Sequence, residues 1–392
     1  MPLVFCKKNN LRGPTIWAGG VLFAVFFGIS HLQFFLKKNR RVAENSIEKD
    51  SPIGVVGAGS FGTAVANLLA LNGDVLLFTR RPEVAEELNR RREHLGTPMH
   101  PRVHAINEMG ELAERCRVIF PIVPSQSFRK MMQTLGPNLR PQHILIHGTK
   151  GFDLKNGEES ALGRHALTRA DVRTMSEVIR EESSVVRIGC LSGPNLASEI
   201  MAGQPTMSLV ASRFREVILI GQKVLNSNKF HVFGGYDILG AELAGALKNI
   251  VALGSGILAG MGMGRNIQSM LISRGLAEMI YFGKALGASS EAFLGTAGIG
   301  DLVATATSTS SRNYSLGIRL AKGEKLADIE ASMPELAEGV RTLRIARQLA
   351  RHYKLHVPIT TTLYMVVFEG FEMSRALDFL MTYPYDVDVD FV

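Results

Sequence analysis

Apolar positions divide this 392-residue chain into three stretches of different period. Residues 15–36 are predominantly apolar and carry no formal charge, a run of about 22 residues that is long enough to span a bilayer. From Pro52 to Phe233, short runs rich in Val, Ile and Leu alternate with stretches of helical spacing. Strands are predicted at 53–56, 75–79, 118–123, 144–147 and 185–191, with helices at 63–71 and 82–92. Runs at 206–211 and 229–233 read as the last strands, in an orientation left open to antiparallel. Beyond Tyr236 the period becomes helical: helices are predicted at 241–261, 267–286, 335–352 and 358–369, with a turn at 298–302 and a hydroxyl-rich loop at 305–313. The expected organisation is α/β: an N-terminal extension over 1–45, a Rossmann-like dinucleotide-binding domain over 46–236, and an all-α domain over 237–392.

The stretch I-G-V-V-G-A-G-S-F-G-T-A, beginning at Ile53, sets the first chemical expectation. A β-branched run enters Gly57-Ala58-Gly59-Ser60-Phe61-Gly62 and a helical period follows, which is the order of a dinucleotide-binding turn. Gly57 permits the turn, Gly59 lets backbone approach a pyrophosphate, and Gly62 lets helix and strand pack closely. The phosphates would lie at the positive N-terminus of the helix. An NAD-selective turn carries an acid about 20 residues on, to bind the ribose diol. Here Arg80 and Arg81 stand at that place, so a 2′-phosphate, and hence NADP rather than NAD, is favoured.

Charge changes the picture less than its total implies. The formal net charge is +8, but seven of the 44 basic residues precede the first acid, Glu44. The remaining 37 face 36 acids, so the globular part is nearly neutral and nucleic acid is not an expected partner. The three cysteines, Cys6, Cys116 and Cys190, have neither paired nor metal-type spacing, which fits a reducing compartment. His143 and His147 share a strand face without a third ligand, so no metal is expected. Basic residues flank 15–36 on both sides. A membrane tether, a leader segment and a start upstream of the true one are the readings it admits, with the dinucleotide-binding part in the cytoplasm.

The predicted helix 241–261 is small and apolar on nearly every face, yet contains Lys248. A buried ammonium is costly unless it meets an anion or a reacting group. Lys150, Lys248 and Arg312, with Ser311 and Asn313 as hydrogen-bond donors and Asp301 as the balancing acid, suit a small phosphorylated substrate. Hydride delivery to a ketone puts negative charge on its oxygen; a lysine there donates the proton and, in reverse, is the base as free amine.

Eight motifs in order, G-A-G-S-F-G-T-A, V-P-S-Q, G-T-K-G, L-S-G-P-N-L-A-S-E, A-E-L-A-G-A-L-K-N, G-I-G-D-L-V-A-T, S-S-R-N and A-E-G-V-R, resemble those of bacterial-type NAD(P)-dependent glycerol-3-phosphate dehydrogenases. The resemblance runs from about Pro52 to Thr382. It implies interconversion of dihydroxyacetone phosphate and sn-glycerol 3-phosphate for phospholipid synthesis, with Lys248 as proton acceptor in the oxidation direction. It also implies a substrate set of Lys150, Gly193, Asn195, Lys248, Asp301, Ser311, Arg312 and Asn313. The cofactor set it implies is Ser60, Phe61, Arg80, Arg81, Lys150, Ala197, Arg312, Leu336 and Glu338. Asn195 stands where bacterial members commonly have Ser or Thr, and the wording of 94–104 departs from the usual Y-L-P-G-x-x-L-P. Beyond the phosphorylated substrate, a bilayer and a second copy of the chain stay open as partners. The β-hydroxyacid and 6-phosphogluconate dehydrogenases share the layout, but space lysine and asparagine as K-x-x-x-N, whereas Lys248 and Asn249 are adjacent. A membrane-tethered NADPH sensor without turnover would have no use for Lys248, Asp301 and Arg312 together.

Overall fold

The computed structural model describes residues 51–155, 167–333, 335 and 337–384, all within the compact unit 49–392. The apolar run 15–36, Leu336 and the tail 386–392 lie outside the described residues.

Eight strands form one sheet: β1 Ile53–Val56, β2 Val75–Phe78, β3 Val103–Ile106, β4 Val118–Pro121, β5 Ile144–His147, β6 Arg187–Ser192, β7 Thr206–Ala211 and β8 Phe230–Gly235. Their spatial order is β8-β7-β6-β5-β4-β1-β2-β3. Strands β1 to β6 are mutually parallel, with Val55 opposite Leu77 on one side and Phe120 on the other. β7 then runs antiparallel to β6, and β8 parallel to β7. Each residue of β1, β2, β4 and β5 is buried, as a parallel sheet covered on both faces requires. Helices α1 Ser60–Leu69, α2 Pro82–Arg91, α3 Ser125–Leu135 and α4 Met175–Glu182 belong to this part. The strand order reverses at β1, so the crevice between the carboxyl ends of β1 and β4 is the ligand position of this architecture.

The second part is helical: α5 Ile238–Gly260, α6 Arg265–Ala285, α7 Asp301–Ala306, α8 Arg312–Ala321, α9 Glu338–Tyr353 and α10 Pro358–Phe368. α5 is long and apolar enough to cross a membrane, but 89% of its most apolar window is buried, which marks it as the core helix. Its small residues bring backbones together: a Cβ on Gly256 would stand 2.0 Å from the Tyr314 carbonyl of α8, and one on Gly317 would stand 2.2 Å from that of Leu253. The side chain of Asp237 caps α5 by accepting the Gly240 N–H at 2.8 Å.

Three local expectations need correction. β3 begins inside 94–104 and was missed, since Val103-His104-Ala105-Ile106 is an edge strand of only four residues whose short apolar run is broken by an exposed histidine. The supposed turn at 298–302 is a helical turn over Thr296–Gly300 that runs straight into α7. Gly300 N–H reaches back five residues to Gly295 O at 3.3 Å, the wide spacing that often occurs at functional sites. The supposed loop 305–313 shrinks accordingly, because Thr305 lies on α7 and Arg312 opens α8.

Candidate active site

The glycine turn has the shape that its sequence implies. Gly57 has φ +116°, and a Cβ there would stand 2.1 Å from the Ile122 carbonyl. A Cβ on Gly62 would stand 1.8 Å from the carbonyl of Gly57, so α1 can lie this close to β1 only with glycine. Among the described residues, a Cβ on Gly59 would meet only Oε1 of Glu335, at 3.1 Å, beyond its own chain neighbours. Ser60 opens α1, and the Phe61 ring lies against Gly148 at the end of β5. Arg80 and Arg81 are exposed just past β2, at the start of α2. Ala197 opens the short helix Ala197–Met201, which packs on α1.

Across the crevice, three elements bring two lysines to one carboxylate. Lys248 lies in the middle of α5 with 4% of its surface exposed, and Lys150 follows β5 by three residues. Asp301, the first residue of α7, accepts from Lys248 Nζ at 2.7 Å through Oδ1 and from Lys150 Nζ at 2.6 Å through Oδ2. Lys248 also donates to the Thr305 hydroxyl, one helical turn beyond Asp301, and that hydroxyl donates to the Asp301 carbonyl at 2.7 Å. Lys150 makes a second bond, 2.9 Å, to the carbonyl of Gly193, whose φ of +127° belongs to glycine. Burial is the main force on Lys248 and disfavours its charge; Asp301 opposes it, Lys150 and Arg312 reinforce it, and the pKa falls from 10.5 to about 8. Two lysines thus share one buried carboxylate, with the charge of Arg312 felt nearby, an arrangement that suits a phosphate.

The other expected residues gather nearby in different states. Ser311 caps α8, accepting the Tyr314 N–H at 3.4 Å, and Arg312 is half exposed with Nη1 3.4 Å from Glu335. Asn313 has both ends engaged: Nδ2 donates to Asn249 Oδ1 at 2.9 Å, and Oδ1 accepts the Gly339 N–H at 2.8 Å. It thereby ties α5, beside Lys248, to the start of α9. Asn195 Nδ2 donates to Ser208 Oγ at 3.0 Å, and its buried Oδ1 has no partner among the described residues. Glu338, the first residue of α9, accepts the Ser125 N–H at 2.8 Å and the Ser125 hydroxyl at 2.6 Å at the head of α3. His143 bonds to the Ala113 carbonyl, and His147 lies 3.0 Å from Glu242, so each points to its own partner.

Three residues escaped the sequence. Thr305 lies one turn from Asp301 on one helix, a spacing that would have marked it had α7 been recognised. His94, whose Nε2 is 2.9 Å from the Ala58 carbonyl of the turn, sits in the stretch whose wording departs from the family pattern. Glu335 has no local signal at all.

A mostly parallel sheet with a glycine cradle at its switch point, faced by a helical part that supplies a buried lysine, defines a two-domain NAD(P)-dependent dehydrogenase. Residues 52–217 match the family model described as the NAD-dependent glycerol-3-phosphate dehydrogenase N-terminus, and 237–378 match its C-terminus. The glycerol-3-phosphate dehydrogenase [NAD(P)+] of Ectopseudomonas mendocina is 38% identical over 346 residues, covering 87% of this chain and 97% of that protein. The enzyme of the same name from Saccharophagus degradans is 39% identical over 362 residues, covering 91% and 96%. The crystal structure of glycerol-3-phosphate dehydrogenase from Coxiella burnetii superposes with a TM-score of 0.76 at 28% identity, covering 86% of this chain and 100% of that one. The chain belongs to the NAD-dependent glycerol-3-phosphate dehydrogenase family and is an oxidoreductase acting on a CH–OH group.

Proposed function

We propose that this chain reduces dihydroxyacetone phosphate to sn-glycerol 3-phosphate, the backbone of glycerophospholipids, and that it prefers NADPH. The observation that carries the reading is the pairing of Lys248 and Lys150 on the single carboxylate of Asp301 at the carboxyl edge of the sheet.

The cradle of Gly57, Gly59 and Gly62 and the N-terminus of α1 at Ser60 fit a dinucleotide pyrophosphate, and Arg80 and Arg81 fit a 2′-phosphate. When bound, the dinucleotide supplies the hydride. Lys248 then does the acid–base work: its ammonium bonds to the ketone oxygen, stabilises the charge growing there and gives up a proton to form the hydroxyl. Asp301 and Thr305 hold Nζ in place before and after the transfer. In the oxidation direction the free amine takes the hydroxyl proton. Lys150 and Arg312 supply the positive charge for the substrate phosphate, Gly193 holds Lys150, and Asn195 offers Oδ1 to a substrate hydroxyl.

The test is oxidation of NADPH and of NADH by the full chain, with dihydroxyacetone phosphate and with dihydroxyacetone. The expected result is turnover with the phosphorylated ketone alone and a higher kcat/KM for NADPH. Equal turnover of the unphosphorylated ketone would remove the phosphate from the reading, and a preference for NADH would remove the roles given to Arg80 and Arg81.

A further inference from the structure

A carboxylate of the chain itself lies at the N-terminus of α1, where the proposed cofactor's pyrophosphate would be held. Glu335 Oε1 accepts the Ser60 N–H at 2.9 Å and the Ser60 hydroxyl at 3.0 Å. Its Oε2 is 3.4 Å from Arg312 Nη1. Gly59 passes beneath it, and among the described residues beyond its chain neighbours only this carboxylate lies within 4 Å of where a Cβ would be. A leading helix N–H, a hydroxyl, a guanidinium and a backbone without a side chain are the groups that bind a phosphate oxygen at such a turn. Glu338 clasps Ser125 at the head of α3 in the same way. Two carboxylates three residues apart thus hold the heads of both helices that flank the crevice. Of the two, only Glu338 occupies a position that the family resemblance assigns to the cofactor.

We propose that Glu335 is an internal surrogate for the cofactor pyrophosphate, displaced when the dinucleotide binds, and that it thereby sets cofactor affinity. The inference rests on the dinucleotide reading of the glycine turn. One N–H cannot serve two anions, and two like charges a few ångströms apart at a part-buried site repel by more than thermal energy. The dinucleotide must therefore exchange with Glu335 rather than add to it. The side chain can leave because 31% of its surface is exposed. Without ligand, Glu335 keeps the head of α1 satisfied, so the turn stays formed when no phosphate is present.

The test is a fluorescence titration of NADPH into the full chain and into Glu335→Gln, which keeps the shape but loses the charge. The Kd for NADPH should fall about tenfold in the variant, the effect of one nearby like charge removed from a partly screened site. Inorganic pyrophosphate should raise the Tm of Glu335→Gln at concentrations that leave the native chain unchanged. If the native chain binds NADPH and the variant binds it equally or more weakly, the surrogate role is overturned while the dinucleotide reading stands. If the native chain binds neither NADPH nor NADH, that reading fails and the surrogate role with it.

Discussion

At the scale of single residues, the chemistry comes down to one ammonium held in a place that disfavours its charge. Burial outweighs Asp301 and brings the Lys248 pKa to about 8, so near neutrality the residue is mostly charged but within reach of deprotonation. The direction of the pH dependence follows. Oxidation of glycerol 3-phosphate needs the free amine and should accelerate with rising pH through about 8, then level; reduction needs the ammonium and should slow above the same value. Lys248→Ala should lower kcat by about a thousandfold with NADPH binding retained, and near-normal turnover would take the proton step away from Lys248. Asp301 is the group that holds the pKa up, so Asp301→Asn should move the oxidation limb to lower pH; an unmoved limb would mean that the carboxylate does not govern Lys248. Lys248 was legible in the sequence because a lone cation among small apolar residues is anomalous. The engagement of both ends of Asn313 was not, since residue type gives a side chain's capacity for hydrogen bonds and not its partners.

Elements were legible where their signal was local and strong. β1, the glycine turn and α1 follow from β-branched residues, three glycines and a helical period, and the structure gives Gly57 and Gly62 each a distinct steric reason. Gly62→Ala should therefore act on the joint of strand and helix. With the new methyl driven toward the Gly57 carbonyl at 1.8 Å, a destabilisation of about 1–3 kcal/mol is expected, seen as a lower Tm together with weakened NADPH binding. Unchanged melting and binding would show that the turn does not need the close approach. The elements that were missed had weak or unusual signals. β3 is a short edge strand stabilised by pairing with β2, and the turn before Asp301 closes over five residues, a period that neither helix nor strand templates contain.

On the scale of the whole molecule, the change of period after Tyr236 marks a change of architecture, yet apolar packing crosses it. Ile238, Ala241 and Ala297 belong to the core beneath the sheet, while Phe152, Leu154 and Val172 belong to the core of the helices. The lysine pair on Asp301 and the clasp of Glu338 on Ser125 add polar ties across the same boundary. The sheet and the helical part should thus unfold in one cooperative transition, measured as a single calorimetric endotherm whose van't Hoff and calorimetric enthalpies agree. Two resolved endotherms, with NADPH shifting only the first, would show that the parts are energetically separate. By itself the sequence determined the parallel strands, the dinucleotide turn, the buried helix and its anomalous lysine, because each is encoded within a few neighbouring positions. Only the tertiary structure decided which charges meet. Asp301 reaches Lys248 and Lys150 across 53 and 151 residues, Glu338 reaches Ser125 across 213, and Glu335 reaches Ser60 across 275. A hydrophobic period records which face of an element is buried, but the partner that a buried charge finds depends on how distant elements are packed together.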